Sequence, residues 1–153
     1  MLSELFIALI LTGISVVIHC SGILFLGAAL VRSRSRIERR TGTLNSAFVL
    51  MGVFAALLSL HLVEDCTWAA FYNGHGLFGN YETALYFSLG TSTTIGYGDV
   101  LLPRNWRLLG TLEGVSAVLL YGLSTAFLFS VVNALFQFRI QRTNQEREMA
   151  GES

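Results

Sequence analysis

Thr93-Thr94-Ile95-Gly96-Tyr97-Gly98-Asp99 places a threonine and a β-branched residue ahead of two glycines that flank one bulky side chain. Glycine reaches positive φ at little cost, so this stretch can follow a backbone that few others can. A chain that stays extended while alternating such conformations can point successive carbonyl oxygens the same way. Four such strands around an axis would stack rings of carbonyls, with the Thr94 hydroxyl forming the innermost ring. An oxygen cage of this kind can replace the water shell of a metal cation. The competing reading is a glycine-rich turn with the same letters.

The residues before it favour the cage. Asn73-Gly74-His75-Gly76 and Gly79-Asn80 carry turn chemistry. Asn80 can cap a helix that begins at Tyr81, with Glu82 in its first turn. Tyr81 to Thr93 is 13 residues, about 20 Å of helix, which is too short to cross a bilayer. A half-span helix running into an extended Gly-Tyr-Gly segment predicts a re-entrant loop. Irregular backbone at membrane depth is tolerated only when it is buried in protein or lines water. The loop meets that condition only in an assembly.

The rest of the chain agrees. Of 153 residues, 53% are hydrophobic and 13% charged, about half the charge of a soluble domain. Leu5 to Val31 carries no charge and one ionisable side chain, His19. As a helix it reaches about 40 Å, too long for the apolar core of a signal peptide. Leu44 to Val63 is a second span and Leu108 to Phe138 a third, the latter with one charge, Glu113. The expected fold is an all-α integral membrane protein of three transmembrane helices plus a re-entrant helix and loop. Its parts are residues 1–43 (first helix and basic loop), 44–138 (pore-forming part) and 139–153 (short polar tail).

All ten basic residues are arginine. Arg32 to Arg40 holds five of them, and Arg139, Arg142 and Arg147 follow the third span. Short arginine-rich segments stay cytoplasmic, which predicts an external N-terminus and an internal C-terminus. The arginines of the first loop alternate outside an apolar helix, unlike a voltage sensor, and suit anionic lipid head groups. Spacings of three and four place His61, Glu64 and Trp68 on one helix face. With Asp65 they could hold a metal; the preferred reading is a cap at the membrane interface, hydrogen-bonded to a neighbouring helix. His19 is expected to pack between helices, and Trp68, Phe71 and Tyr72 to form an aromatic belt. Cys20 reads as a packing residue. Cys66 could pair between subunits.

Thr94-Ile95-Gly96-Tyr97-Gly98-Asp99, with Tyr86-Phe87-Ser88-Leu89-Gly90 before it, resembles the pore-loop potassium channel family over Leu44 to about Phe138. The resemblance implies a homotetramer that conducts K+ passively, with the ion at Thr94, Ile95, Gly96 and Tyr97 and Gly98 completing the filter. It implies no enzyme activity, no cofactor beyond the transported ion and no nucleic-acid partner. The first helix is an addition to the two-helix pattern, as in some bacterial members, so a bacterial inner membrane is expected. Gly90 departs from members that carry a carboxylate there, paired behind the filter with the residue matching Asp99.

Three further readings compete: a less selective cation channel, a non-conducting partner subunit, and a membrane enzyme using Glu113, His19 or His61. Tyr97 argues against the first, and no catalytic motif supports the last. An acid inside a span is expensive unless it faces protein or water. Two readings of Glu113 stand: it reaches toward the space beside Gly90 and bonds hydroxyls of the short helix such as Thr91, Ser92 or Thr93, or it is a protonated acid satisfied between helices. Tyr86 is expected to bond Asp99. Gly122 is the candidate gate hinge and Thr125 a candidate wall of the water-filled cavity.

Overall fold

The computed structural model describes residues 2–33 and 43–149. Its helices are α1 (Leu2–Arg32), α2 (Thr43–Gly74), α3 (Tyr81–Ser92) and α4 (Arg107–Met149), with one 3-10 turn, Arg104–Trp106, ahead of α4. The helical stretches Leu2–Arg32, Leu44–Gly74 and Arg104–Asn144 are long and apolar enough to cross a membrane. The chain is an all-helical membrane protein. The arginine-rich connection at 34–42 lies outside the described residues, and so does the lipid contact expected of it beyond Arg32.

Two helices run further than composition indicates. α2 continues eleven residues past Val63, through Glu64 and Asp65, and α4 continues eleven past Phe138. The charges at 64 and 65 end the apolar run without ending the helix, because both side chains are buried and bonded or close to partners.

The chain divides into two compact units. The first comprises the residues up to Gly22 and Leu58–Leu123. Its core is Ala8 and Leu11 of α1, Trp68, Ala69 and Tyr72 of α2, Ala84 of α3, and Leu102 and Leu109 around the start of α4. Within it α1 and α2 run antiparallel. Trp68 Nε1 donates to Ser15 Oγ at 3.1 Å, His19 meets Glu64 one turn along, and Gly22 faces Leu60 beyond that. Trp68 and Tyr72 are therefore core residues and not an interfacial belt; they are 2% and 0% exposed. Each ring is enclosed because its polar tip finds a buried partner, Ser15 for Trp68 and Glu113 for Tyr72.

α3 is short and closely seated. Asn80 caps it, its side-chain oxygen accepting from the Thr83 amide at 2.8 Å. Ala84, Ser88 and Ser92, four residues apart, form its buried stripe, and small residues on one helix face let neighbours approach. α3 and α4 run parallel: Gly110 lies against Phe87, and Gly114 against Thr91. The second unit comprises Ile23–Leu57 and the residues from Ser124 on, and buries Val53, Leu57, Val131 and Leu135.

Candidate functional site

The loop that follows α3 begins with its last carbonyls. The Thr93 amide and hydroxyl both donate to Leu89 O, at 3.2 and 2.5 Å. The Thr94 amide donates to Thr91 O at 3.1 Å and the Gly96 amide to Gly90 O at 3.0 Å. Carbonyls left open at a helix C-terminus need such donors. From there φ is positive at every second residue: 61° at Thr94, 50° at Gly96 and 78° at Gly98. Ile95 and Tyr97 between them keep negative φ.

The glycines fulfil what their lack of a Cβ permits. Thr94 does not follow from sequence, since a β-branched residue at positive φ is a true outlier. Such a conformation costs about 1–3 kcal/mol and persists where the surroundings impose it. Here backbone bonds to α3 from Thr94 itself and from Gly96 do so.

Ile95 and Tyr97 are 56% and 74% exposed in the single chain. Behind the loop lies an open hollow of about 430 Å³, lined by Tyr86, Gly90, Thr94, Tyr97, Asp99 and Gly110 among others. A Cβ on Gly90 would meet nothing within 4 Å. At the far end of the loop the Tyr86 hydroxyl donates to Asp99 Oδ2 at 2.9 Å, and Asp99 Oδ1 accepts from the Val100 amide at 3.1 Å. The bond to Asp99 raises the Tyr86 phenol above its ordinary pKa.

Glu113 is 1% exposed and faces α3. Tyr72 Oη donates to its Oε2 at 2.7 Å, and Ser88 Oγ lies 2.5 Å from its Oε1. The α3 hydroxyl it meets is that of Ser88, and not of Thr91, Ser92 or Thr93. Ser92 and Thr93 bond Leu89 O instead. The reason is geometric: helical side chains lean toward their own N-terminus. Because α3 and α4 are parallel, that lean carries Glu113 to an earlier turn of α3. Ser88 Oγ also lies 3.1 Å from Asp65 O, so its single proton faces two acceptors. Ser88 donates to the Glu113 carboxyl, with Asp65 O of α2 as its second acceptor within reach. The carboxyl thereby joins α2, α3 and α4.

Tyr72 and Ser88 are the residues that sequence reasoning missed. Ser88 could have been found from the four-residue repeat of small side chains. Tyr72 carries no comparable signal, because nothing local shows that α2 continues far enough to bring it opposite Glu113. Gly122 and Thr125 lie nine and twelve residues beyond Glu113 on exposed faces of α4, and a Cβ on Gly122 would touch nothing. Gly122 does not reach the loop, and Thr125 belongs to the second unit.

The sequence model of a family described as ion channel matches residues 47–134. A curated protein, the calcium-gated potassium channel TvoK of Thermoplasma volcanium, is 44% identical over 64 residues. The match takes in 41% of this chain and 18% of that protein, so the chain spans under a fifth of its length. No solved structure matches the chain.

Proposed function

Since this chain belongs to the ion-channel family whose model spans residues 47–134, we propose that it is a potassium-selective channel conducting K+ passively through a ring of four Thr94–Gly98 loops. The observation that carries the reading is the alternation of φ at Thr94, Gly96 and Gly98. Alternating left-handed and ordinary residues turn consecutive carbonyls to one side, which is the geometry an ion needs in exchange for its water.

Each chain holds one such loop, and closed rings are built from identical subunits. The exposed Ile95 and Tyr97 support the same assembly, because apolar side chains of that size are covered when neighbouring subunits close around the axis. K+ is the cargo of Thr94, Ile95, Gly96 and Tyr97, with Gly98 completing the filter. Tyr86, Asp99 and Glu113 hold the loop from behind. Gly122 is the hinge of the gate and Thr125 lines the cavity. The chain acts without a cofactor and catalyses no reaction. Its first helix starts outside and its arginine-rich segments lie inside against anionic lipid, in a bacterial inner membrane.

Purified protein in liposomes tests this directly. The expected result is K+-driven flux, with a reversal potential that follows the K+ gradient and ignores Na+. Equal K+ and Na+ permeability would replace the reading with a general cation channel. Silence of the reconstituted homomer would replace it with a partner subunit.

A further inference from the structure

Away from the loop, three buried side chains converge where α1 crosses α2. His19 Nδ1 lies 2.7 Å from Glu64 Oε1, and His61 Nδ1 lies 3.1 Å from Glu64 Oε2. His19, His61 and Glu64 are 0%, 7% and 5% exposed. One donor atom from each lies within 4.8 Å of the other two. The imidazoles approach the same carboxylate, one on each oxygen.

From this geometry we propose that His19, His61 and Glu64 form a binding site for a divalent transition-metal ion, with Zn2+ its best-matched occupant, which fastens α1 to α2. Two imidazole nitrogens and one carboxylate are a donor set that Zn2+ favours, with bonds of about 2.0–2.2 Å and a fourth position open to water. Hard cations such as Mg2+ and Ca2+ prefer oxygen donors and are disfavoured here. A small cavity of about 10 Å³ touches His61 and Glu64, about the space that one water requires.

Charge supports the same occupant. A divalent ion on one carboxylate and two neutral imidazoles leaves one net positive charge, which is costly in a buried site. Asp65 follows Glu64 in sequence, is buried, and interacts electrostatically with both His61 and Glu64. In its carboxylate form Asp65 would balance the remaining charge. The ion displaces the protons that otherwise lie between ring nitrogens and carboxylate, so metal and protons compete. The small cavity is lined also by Ser92 of α3 and Glu113 of α4. An ion held by His19, His61 and Glu64 stiffens the first helix against α2.

The site is tested on the protein itself, independently of whether it conducts. The full chain is prepared with C20S, C66S and H75Q, which removes the thiols and the exposed histidine. It is stripped with chelator and titrated with Co2+ and Zn2+ in detergent. The expected result is one ion per chain, a tetrahedral Co2+ spectrum, displacement by Zn2+, and a raised melting temperature. H19Q, H61Q and E64Q should each lose the stoichiometric uptake. H61C guards against a variant that fails to assemble: its thiolate should keep Co2+ and add a sulfur-to-cobalt charge-transfer band. No uptake by the background protein, uptake undiminished in H19Q and H61Q, or an H61C protein without that band would each overturn the proposal.

Discussion

The Gly96 amide donates to the carbonyl of Gly90 at 3.0 Å, so the loop is fastened to the last turn of α3 through the backbone of a residue without a side chain. The side chain at position 90 plays no part in that bond. Gly90→Ala puts a methyl group into open space and removes a helix-interior glycine, worth about 1 kcal/mol. The variant should melt slightly higher than the parent and keep its ion selectivity. A lower melting temperature would show that the hollow behind the loop is filled in the assembled protein.

Thr94 and Gly98 separate the side-chain and backbone contributions to the pore. Thr94→Ala removes the side-chain hydroxyl together with the γ-methyl and should weaken K+ binding at the innermost position. Gly98→Ala puts a Cβ on a residue with φ of 78°, against a left-handed penalty of about 1–2 kcal/mol. It should do the greater damage. Reversal potentials under opposed K+ and Na+ gradients measure both, and unchanged selectivity in Gly98→Ala would remove the loop as the filter.

Gly110 and Gly114 sit on the face of α4 that meets α3, yet they should respond differently. A Cβ on Gly110 would lie 3.0 Å from Phe87 Cζ and 3.1 Å from Leu102 Cδ1; on Gly114 the nearest atom is Thr91 O at 3.5 Å. Overpacking of the first kind costs about 1–3 kcal/mol. Set against the gain of about 1 kcal/mol from removing a helix-interior glycine, Gly110→Ala should melt in detergent below Gly114→Ala, which should melt slightly above the parent.

Glu113→Ala leaves the Tyr72 and Ser88 hydroxyls without the carboxyl, and an unpaired buried polar group costs about 1–3 kcal/mol. Glu113→Gln keeps an acceptor for Tyr72 and turns an amide N–H toward Ser88 Oγ, whose own proton can go to Asp65 O, so it should assemble normally. Its effect should fall on inactivation. Melting curves and the decay of current during long openings distinguish the pair. A Gln variant as unstable as the Ala variant would mean that the amide cannot take the carboxyl's place.

Gly122→Ala meets no atom within 4 Å in the chain, so packing does not oppose it. Alanine stiffens the helix there, and single-channel recording should show altered open probability with intact selectivity. An unaltered open probability would assign the bending of α4 to another position.

The sequence made the glycine conformations of the 94–98 loop, the Asn80 cap and the three long apolar helices legible, because each rests on local chemistry: glycine freedom, a capping side chain, and unbroken apolar length. It left Glu113 open between the short helix and a place between spans, and the bond with Ser88 decides for α3. What it missed depends on packing between distant segments. Trp68 and Tyr72 looked interfacial because only Ser15 and Glu113, 53 and 41 residues away, make their burial tolerable. The meeting with Ser88 in place of Thr91, Ser92 or Thr93 follows from the parallel course of two helices, which spacing alone does not reveal. The left-handed Thr94 is imposed by α3 and runs against the residue's own preference.

Tyr72, Ser88 and Glu113 constrain one another's history. Any one of them replaced by an apolar residue strands a polar group of the other two, whereas replacing all three together strands none within the trio. Descendants of this chain can therefore leave the arrangement only through a weakened intermediate or by several changes at once, and chains that lack the acid should have lost the tyrosine and the serine with it.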